Sequence, residues 1–142
     1  MPHAGSILRA ADAFGATGIV FLKGSAGPFN PKTVRASAGS LFRLPFVHGM
    51  DAAPLLAVTS QRKLDLYAAV PAHNADARPP SAADLRRPVA LIIGNEARGV
   101  SKELRAVAAD LSIPTGRVES LNAAVAAGIL LYEAWRQRSP RP

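Results

Sequence analysis

Cysteine is absent from all 142 residues. That excludes disulfides and thiolate metal sites and accords with a cytoplasmic enzyme. No apolar run approaches the roughly 18 residues a membrane helix needs, and residues 1–9 lack the basic-then-apolar order of a secretory leader. The three histidines, at positions 3, 48 and 73, are scattered without a second ligand at metal spacing, so no metal site is expected. No G-x-G-x-x-G follows a strand-like run, G-x-x-x-x-G-K-S/T is missing, and Ser120 does not sit in a G-x-S-x-G elbow. Dinucleotide binding, nucleoside triphosphate hydrolysis and serine hydrolase chemistry are thereby disfavoured.

Negative charge is also sparse, with 10 acidic residues against 17 basic and a net charge of +7. Arginine supplies 13 of those 17, and its planar fork suits phosphate oxygens. Such a surface favours a polyanion such as RNA. A compositional bias toward Ala, Arg, Pro and Gly would give the same balance. Hydrophobic residues make up 49%, and the length suits a single core, so residues 1–142 read as one domain.

Along the chain, helix-like and strand-like stretches alternate. Residues 5–14 read as a helix with Ile7, Leu8, Ala11 and Phe14 on one side and Gly15 as its stop. Residues 18–22 read as a buried strand, and Asn30-Pro31 as the cap and first turn of a helix running toward Leu41. Residues 45–47 form a short strand, and a helix starts near Asp51 with Pro54 in its first turn. Strands follow at 64–70 and 89–93, separated by a proline-rich loop over 71–87. Ser101 caps a helix carrying Leu104 and Val107. Residues 111–113 form the last strand, and residues 120–138 the last helix, with Leu121, Val125, Ile129, Tyr132 and Trp135 or Arg136 at helical spacing. This alternation predicts an α/β fold with a largely parallel sheet and flanking helices.

Three segments carry more than fold. They are Gly5-Ser6-Ile7-Leu8-Arg9 continuing to Ala16, Leu91-Ile92-Ile93-Gly94-Asn95-Glu96-Ala97-Arg98-Gly99-Val100, and Ile113-Pro114-Thr115-Gly116-Arg117-Val118-Glu119-Ser120-Leu121-Asn122 continuing to Ala126. In that order they resemble the three motifs of the SpoU family of RNA 2′-O-ribose methyltransferases, within the SPOUT superfamily. Residues 34–45 are similar to that family as well, so the resemblance covers nearly the whole chain.

The resemblance implies a domain whose C-terminal segment is threaded into a trefoil knot, a homodimer, S-adenosylmethionine as cofactor, and rRNA or tRNA as substrate. It implies cofactor contacts at Gly94, Ile113 and Leu121. Gly94 lacks a side chain and would let a ligand approach the backbone. Ile113 and Leu121 offer apolar walls to an adenine ring, unless they are plain core residues. Ala69, at a strand end where the family often has threonine, would line the same pocket. The catalytic set implied is Arg9, Glu96, Ser120 and Asn122. Arginine is hard to deprotonate, so Arg9 is first expected to clamp the RNA phosphate beside the target ribose, and only then to assist proton loss. Glu96 is expected to hold Arg9 by a bidentate pair. Ser120 and Asn122 open the last helix, where amides and short polar chains suit a carboxylate. Alternatively Ser120 is an ordinary cap and Asn122 a solvated residue.

The sequence departs from the family pattern in three places. His3 stands where asparagine is usual, the third motif is one residue shorter around Thr115-Gly116, and the acidic-proline pair and strand that normally precede the first motif are not present. The N-terminal domain by which many members select RNA is not present either. Two readings follow: a ribose 2′-O-methyltransferase, or a truncated, non-catalytic fragment that binds cofactor or RNA.

Overall fold

The computed structural model describes residues 3–141. Its elements run α1 (Ala4–Ala13), β1 (Ile19–Leu22), α2 (Pro31–Ala36), β2 (Phe46–Met50), α3 (Ala52–Gln61), β3 (Asp65–Ala69), β4 (Val89–Ile92), α4 (Lys102–Arg105), β5 (Ala109–Leu111) and α5 (Ala123–Arg138). All strand pairing is parallel, as the α/β alternation predicts. It is divided between a β1–β2 pair and a three-stranded sheet in the order β4-β3-β5. Parallel neighbours need crossovers, and the helices supply them. No helix among the described residues is long and apolar enough to cross a membrane.

Each half has its own core. Leu8 and Ala11 of α1 pack with Phe21, Leu41 and Leu44 beside β1. Tyr67, Leu85, Leu111, Leu130 and Ala134 form the second core around β3, β5 and α5. The first half is also tied by polar contacts. Asp12 accepts from Ser40 Oγ (2.8 Å) and from Arg43 Nη2 (2.7 Å). The Ser40 hydroxyl first, and then the Arg43 guanidinium, holds the Asp12 carboxyl below its ordinary value.

Several boundaries differ from those the sequence predicts. The helix opened by Asn30-Pro31 stops at Ala36 rather than reaching Leu41. Ala38 and Gly39 turn left-handed at φ 49° and 86°, and a 3-10 turn over Ser40–Phe42 takes over. That break swings Ser40 toward Asp12. Val107, expected within the helix that carries Leu104, lies beyond its end and is 59% exposed. The helix ends at Arg105, whose guanidinium is captured by Asp110 as the chain enters β5. The last strand covers Ala109–Leu111, not 111–113. Beyond it the backbone turns to a new partner, with Ser112 N–H donating to the Arg78 carbonyl (3.0 Å).

The largest correction concerns α5. Its sequence pattern points Val125, Ile129, Tyr132 and Trp135 at the core, yet these are 51%, 39%, 46% and 46% exposed. Ala127, Leu130 and Ala134 are the buried positions. Helical spacing identifies a stripe but cannot say what covers it, and small alanines leave room for the helix to lie close to the sheet.

The end of α5 also orders the proline-rich loop. Gln137 Oε1 accepts from Leu85 N–H (2.9 Å), and its Nε2 donates to the Ala83 carbonyl (3.1 Å) and to Glu133 (3.0 Å). Arg138 donates to the carbonyls of Leu85 and Arg87. Glu133, also gripped by Arg136 Nε at 2.8 Å, has its pKa lowered to about 2, first by that hydrogen bond.

Candidate active site

The carboxyl ends of β3, β4 and β5 open on one side of the second sheet. That is where open parallel sheets bind ligands. The chain beyond β5 and the start of α5 close over them. The resulting cavity, of about 380 Å³, is lined by residues that include Ala69, Gly94, Glu96, Ile113, Ser120, Leu121 and Asn122. Seven of the eight residues singled out in sequence therefore meet in one place. Its size falls within the roughly 300–1,000 Å³ of small-molecule sites. Leu111, Ile113, Leu121 and Leu130 make the apolar wall, while Glu96, Thr115, Ser120 and Asn122 supply polar groups.

Gly94 is required for a reason other than ligand approach. Residues 95–99 fold back over it, with Gly99 N–H donating to the Asn95 carbonyl (2.6 Å) and Asn95 N–H to the Gly99 carbonyl (3.2 Å). A Cβ at position 94 would lie 2.5 Å from Val100 N and 2.7 Å from Gly99 O. The chain's own return packs where a Cβ would stand, and Gly94 also lines the cavity. That turn delivers Glu96 to the cavity rim.

Also lining the cavity, Asn122 caps α5. Its Oδ1 accepts from Ala124 N–H (2.9 Å) and Val125 N–H (3.3 Å). The alternative sequence reading makes Ser120 the cap, but Asn122 takes it, because the backbone stays extended until Asn122 and the helix starts at Ala123. Ser120 is exposed and makes no hydrogen bond among the described residues. It is left facing the cavity.

Arg9 is the eighth residue, and it is not among those lining the cavity. It is exposed on α1 and forms no hydrogen bond or ion pair among the described residues. The expected Arg9–Glu96 pair is replaced by one between Glu96 and His3, with Nε2 to Oε1 at 2.5 Å. The start of α1, not its second turn, meets the 95–99 loop. Six residues further on, Arg9 stands about 9 Å along the helix axis. His3 also lies 3.3–3.4 Å from Asn122 Nδ2. Sequence reasoning treated His3 only as a departure from a pattern. No spacing signal links residues 119 positions apart.

A family model described as the SpoU rRNA Methylase family matches residues 3–132. The chain is 38% identical over 141 residues to the 23S rRNA (uridine(2479)-2′-O)-methyltransferase of Streptomyces viridochromogenes, covering 94% of this chain and 48% of that protein. The crystal structure of the SpoU methyltransferase AviRb from the same organism, in complex with the cofactor AdoMet, superposes with a TM-score of 0.88. It is 37% identical, with 96% of this chain and 56% of that one covered. A structure described for 2-OH methylation of C/U34 on tRNA gives a TM-score of 0.84 at 30% identity, covering 96% of this chain and 89% of that one. The chain spans about half the length of the curated relatives it matches. With its three motifs in order, its parallel sheet and a family match across nearly all its length, the chain belongs to the SpoU rRNA methylase family.

Proposed function

We propose that this chain is a cytoplasmic methyltransferase domain, spanning residues 1–142, that transfers a methyl group from S-adenosylmethionine to a ribose 2′-hydroxyl of rRNA or tRNA. The observation that carries the reading is the single cavity gathering residues from the second and third motifs at the sheet's carboxyl edge. Its apolar wall suits an adenine ring, and its polar rim suits an amino-acid head group. When bound, the cofactor supplies a methyl group already activated by its sulfonium. The chain's own task is then alignment and proton removal. Ile113 and Leu121 hold the base, and Ser120 and Asn122 receive polar groups at the rim. Arg9, with no partner among the described residues, grips the RNA phosphate next to the target ribose. A net charge of +7 assists RNA capture. The implied C-terminal threading belongs to the same proposal. It is supported by hydrogen bonds that lay residues 72–78 against 110–119, including Ala72 N–H to the Glu119 carbonyl at 3.1 Å.

The test is incubation with methyl-labelled S-adenosylmethionine and total RNA, followed by digestion to nucleosides. Label is expected on ribose. A folded sample that binds cofactor yet transfers nothing would overturn the enzyme reading and leave the non-catalytic fragment.

The homodimer is part of the proposal, because Val125, Ile129, Tyr132 and Trp135 form an exposed apolar stripe on α5. Phe14, the C-cap of α1, extends it, its ring 5.6 Å from Tyr132 and 6.4 Å from Trp135. Patches of this kind mark interaction surfaces, and self-association is the commonest way to cover one. Sedimentation should find a dimer for the wild type and a monomer for Trp135→Arg. A wild-type monomer at micromolar concentration would remove the dimer from the account.

A further inference from the structure

We propose that Phe29, Lys32 and Arg35 form a docking surface for single-stranded RNA. Phe29 is the stacking platform for an unpaired base, and Lys32 and Arg35 are the phosphate contacts. The assignment rests on the methyl-transfer reading above and narrows its substrate to an unpaired stretch of RNA.

Charge comes first. Between Asp12 and Asp51 the chain has no carboxylate, yet it carries Lys23, Lys32, Arg35 and Arg43. Lys23 is paired with Asp51, and Arg43 with Asp12. Lys32 and Arg35 are exposed, and neither side chain has an ion-pair partner among the described residues. Thr33 and Ser37 are the buried positions at α2. Lys32 and Arg35, three residues apart, share its outer side. Two cations without partners on one side of a helix suit the phosphates of a single strand.

Phe29 immediately precedes Asn30, the cap of α2. Phenylalanine is normally buried, but this one is 64% exposed. Its ring centroid lies 5.7 Å from that of Phe46 and 5.6 Å from that of His48, at interplanar angles of 66° and 89°. These edge-to-face contacts hold the ring without covering it. A fixed aromatic ring open to solvent beside cations is how proteins stack unpaired bases. The cations favour a polyanion over an apolar partner.

The surface also lies where a substrate is needed. A Cβ at Gly5 would stand 2.6 Å from Ala36 Cβ and 3.0 Å from Ser37 N, so α2 packs closely on the first turn of α1. Two residues earlier, His3 meets Glu96 and Asn122, and both line the cavity. α2 therefore flanks the end of α1 that reaches the cavity. Arg9 is one turn beyond Gly5 on the same helix. Phe29, Lys32 and Arg35 are not among the residues lining the cavity, so RNA docking and cofactor binding are separable.

The test measures binding of the full chain to a labelled, mixed-sequence RNA single strand of about 12 nucleotides, and to the same strand annealed to its complement. The wild type should favour the single strand. Phe29→Ala and Phe29→Leu should both weaken single-strand binding about 5–100-fold and leave duplex affinity unchanged, while Phe29→Trp should restore it. Leucine keeps the apolar surface but cannot stack, so it separates the two roles. Lys32→Ala combined with Arg35→Ala should reduce the slope of log affinity against log salt by about 1.4. S-adenosylmethionine affinity should stay within about threefold in every variant. Wild-type binding in Phe29→Leu overturns the stacking platform, and an unchanged salt slope overturns the phosphate contacts. A wild type that favours the duplex overturns the assignment as a whole. Methyl transfer by a wild type whose Phe29→Ala variant keeps both affinity and rate overturns this surface and leaves the enzyme reading intact. Single-strand binding that depends on Phe29, in a chain that transfers no methyl group, overturns the enzyme reading and leaves the surface standing.

Discussion

Replacing Arg9 with alanine should lower methyl transfer about 10²–10³-fold while leaving S-adenosylmethionine affinity unchanged. The cavity does not include Arg9, so no cofactor contact is lost. The residue is exposed and unpaired among the described residues, so no fold contact of consequence is lost either, and thermal stability should stay within about 0.5 kcal/mol. On the proposed function, what disappears is a charged donor for the RNA phosphate. Removing one such preorganised electrostatic contact costs rate on that scale. The measurement is single-turnover transfer at saturating cofactor, beside calorimetry of cofactor binding. Arg9→Lys should recover only part of the loss, because an ammonium cannot reproduce two parallel hydrogen bonds to a phosphate. Full activity in Arg9→Ala would take this side chain out of the mechanism.

The second large effect is expected at Gly94, from a single methyl group. A Cβ there faces backbone atoms of Gly99 and Val100, with Val100 N at 2.5 Å, and backbone cannot rotate away as a side chain can. The 95–99 turn must shift, at a cost of about 1–3 kcal/mol. That shift also carries Glu96 off the rim. Gly94→Ala should therefore weaken cofactor binding by about 10–100-fold. Gly116→Ala is the control, since nothing lies within 4 Å of a Cβ there, and its affinity should match the wild type. Isothermal titration of both variants decides the matter. Unchanged affinity in Gly94→Ala would mean the turn plays no part in holding the ligand.

Most of this architecture is legible in the sequence because apolar strand runs and caps are local signals. Asn30-Pro31, Asp51 and Ser101 each precede the helix they announce. The errors share one cause, a tertiary partner that local pattern cannot contain. Gly39 ends α2's path toward Leu41 because Ser40 is needed at Asp12. The apolar stripe of α5 faces outward because alanines on its other side meet the sheet. At the site, motif order correctly gathered the residues of the cavity, but spacing could not say which side chain Glu96 would grip. His3 wins that contact because the beginning of α1 reaches the loop and Arg9 does not. Likewise Asn122 takes the cap from Ser120 because the chain is still extended two residues earlier.

The bond between residues 3 and 122 also has a bearing on synthesis. A ribosome makes residue 3 well before the residue that meets it, which follows 119 positions later. Until α5 has emerged, the growing chain lacks Asn122 beside the imidazole, Leu130 in the second core and the Gln137 clasp on residues 80–85. Nascent chains ending before α5 should accordingly lack a closed cavity and hold no cofactor, so on the proposed function binding is all-or-none with α5 rather than growing in proportion to length.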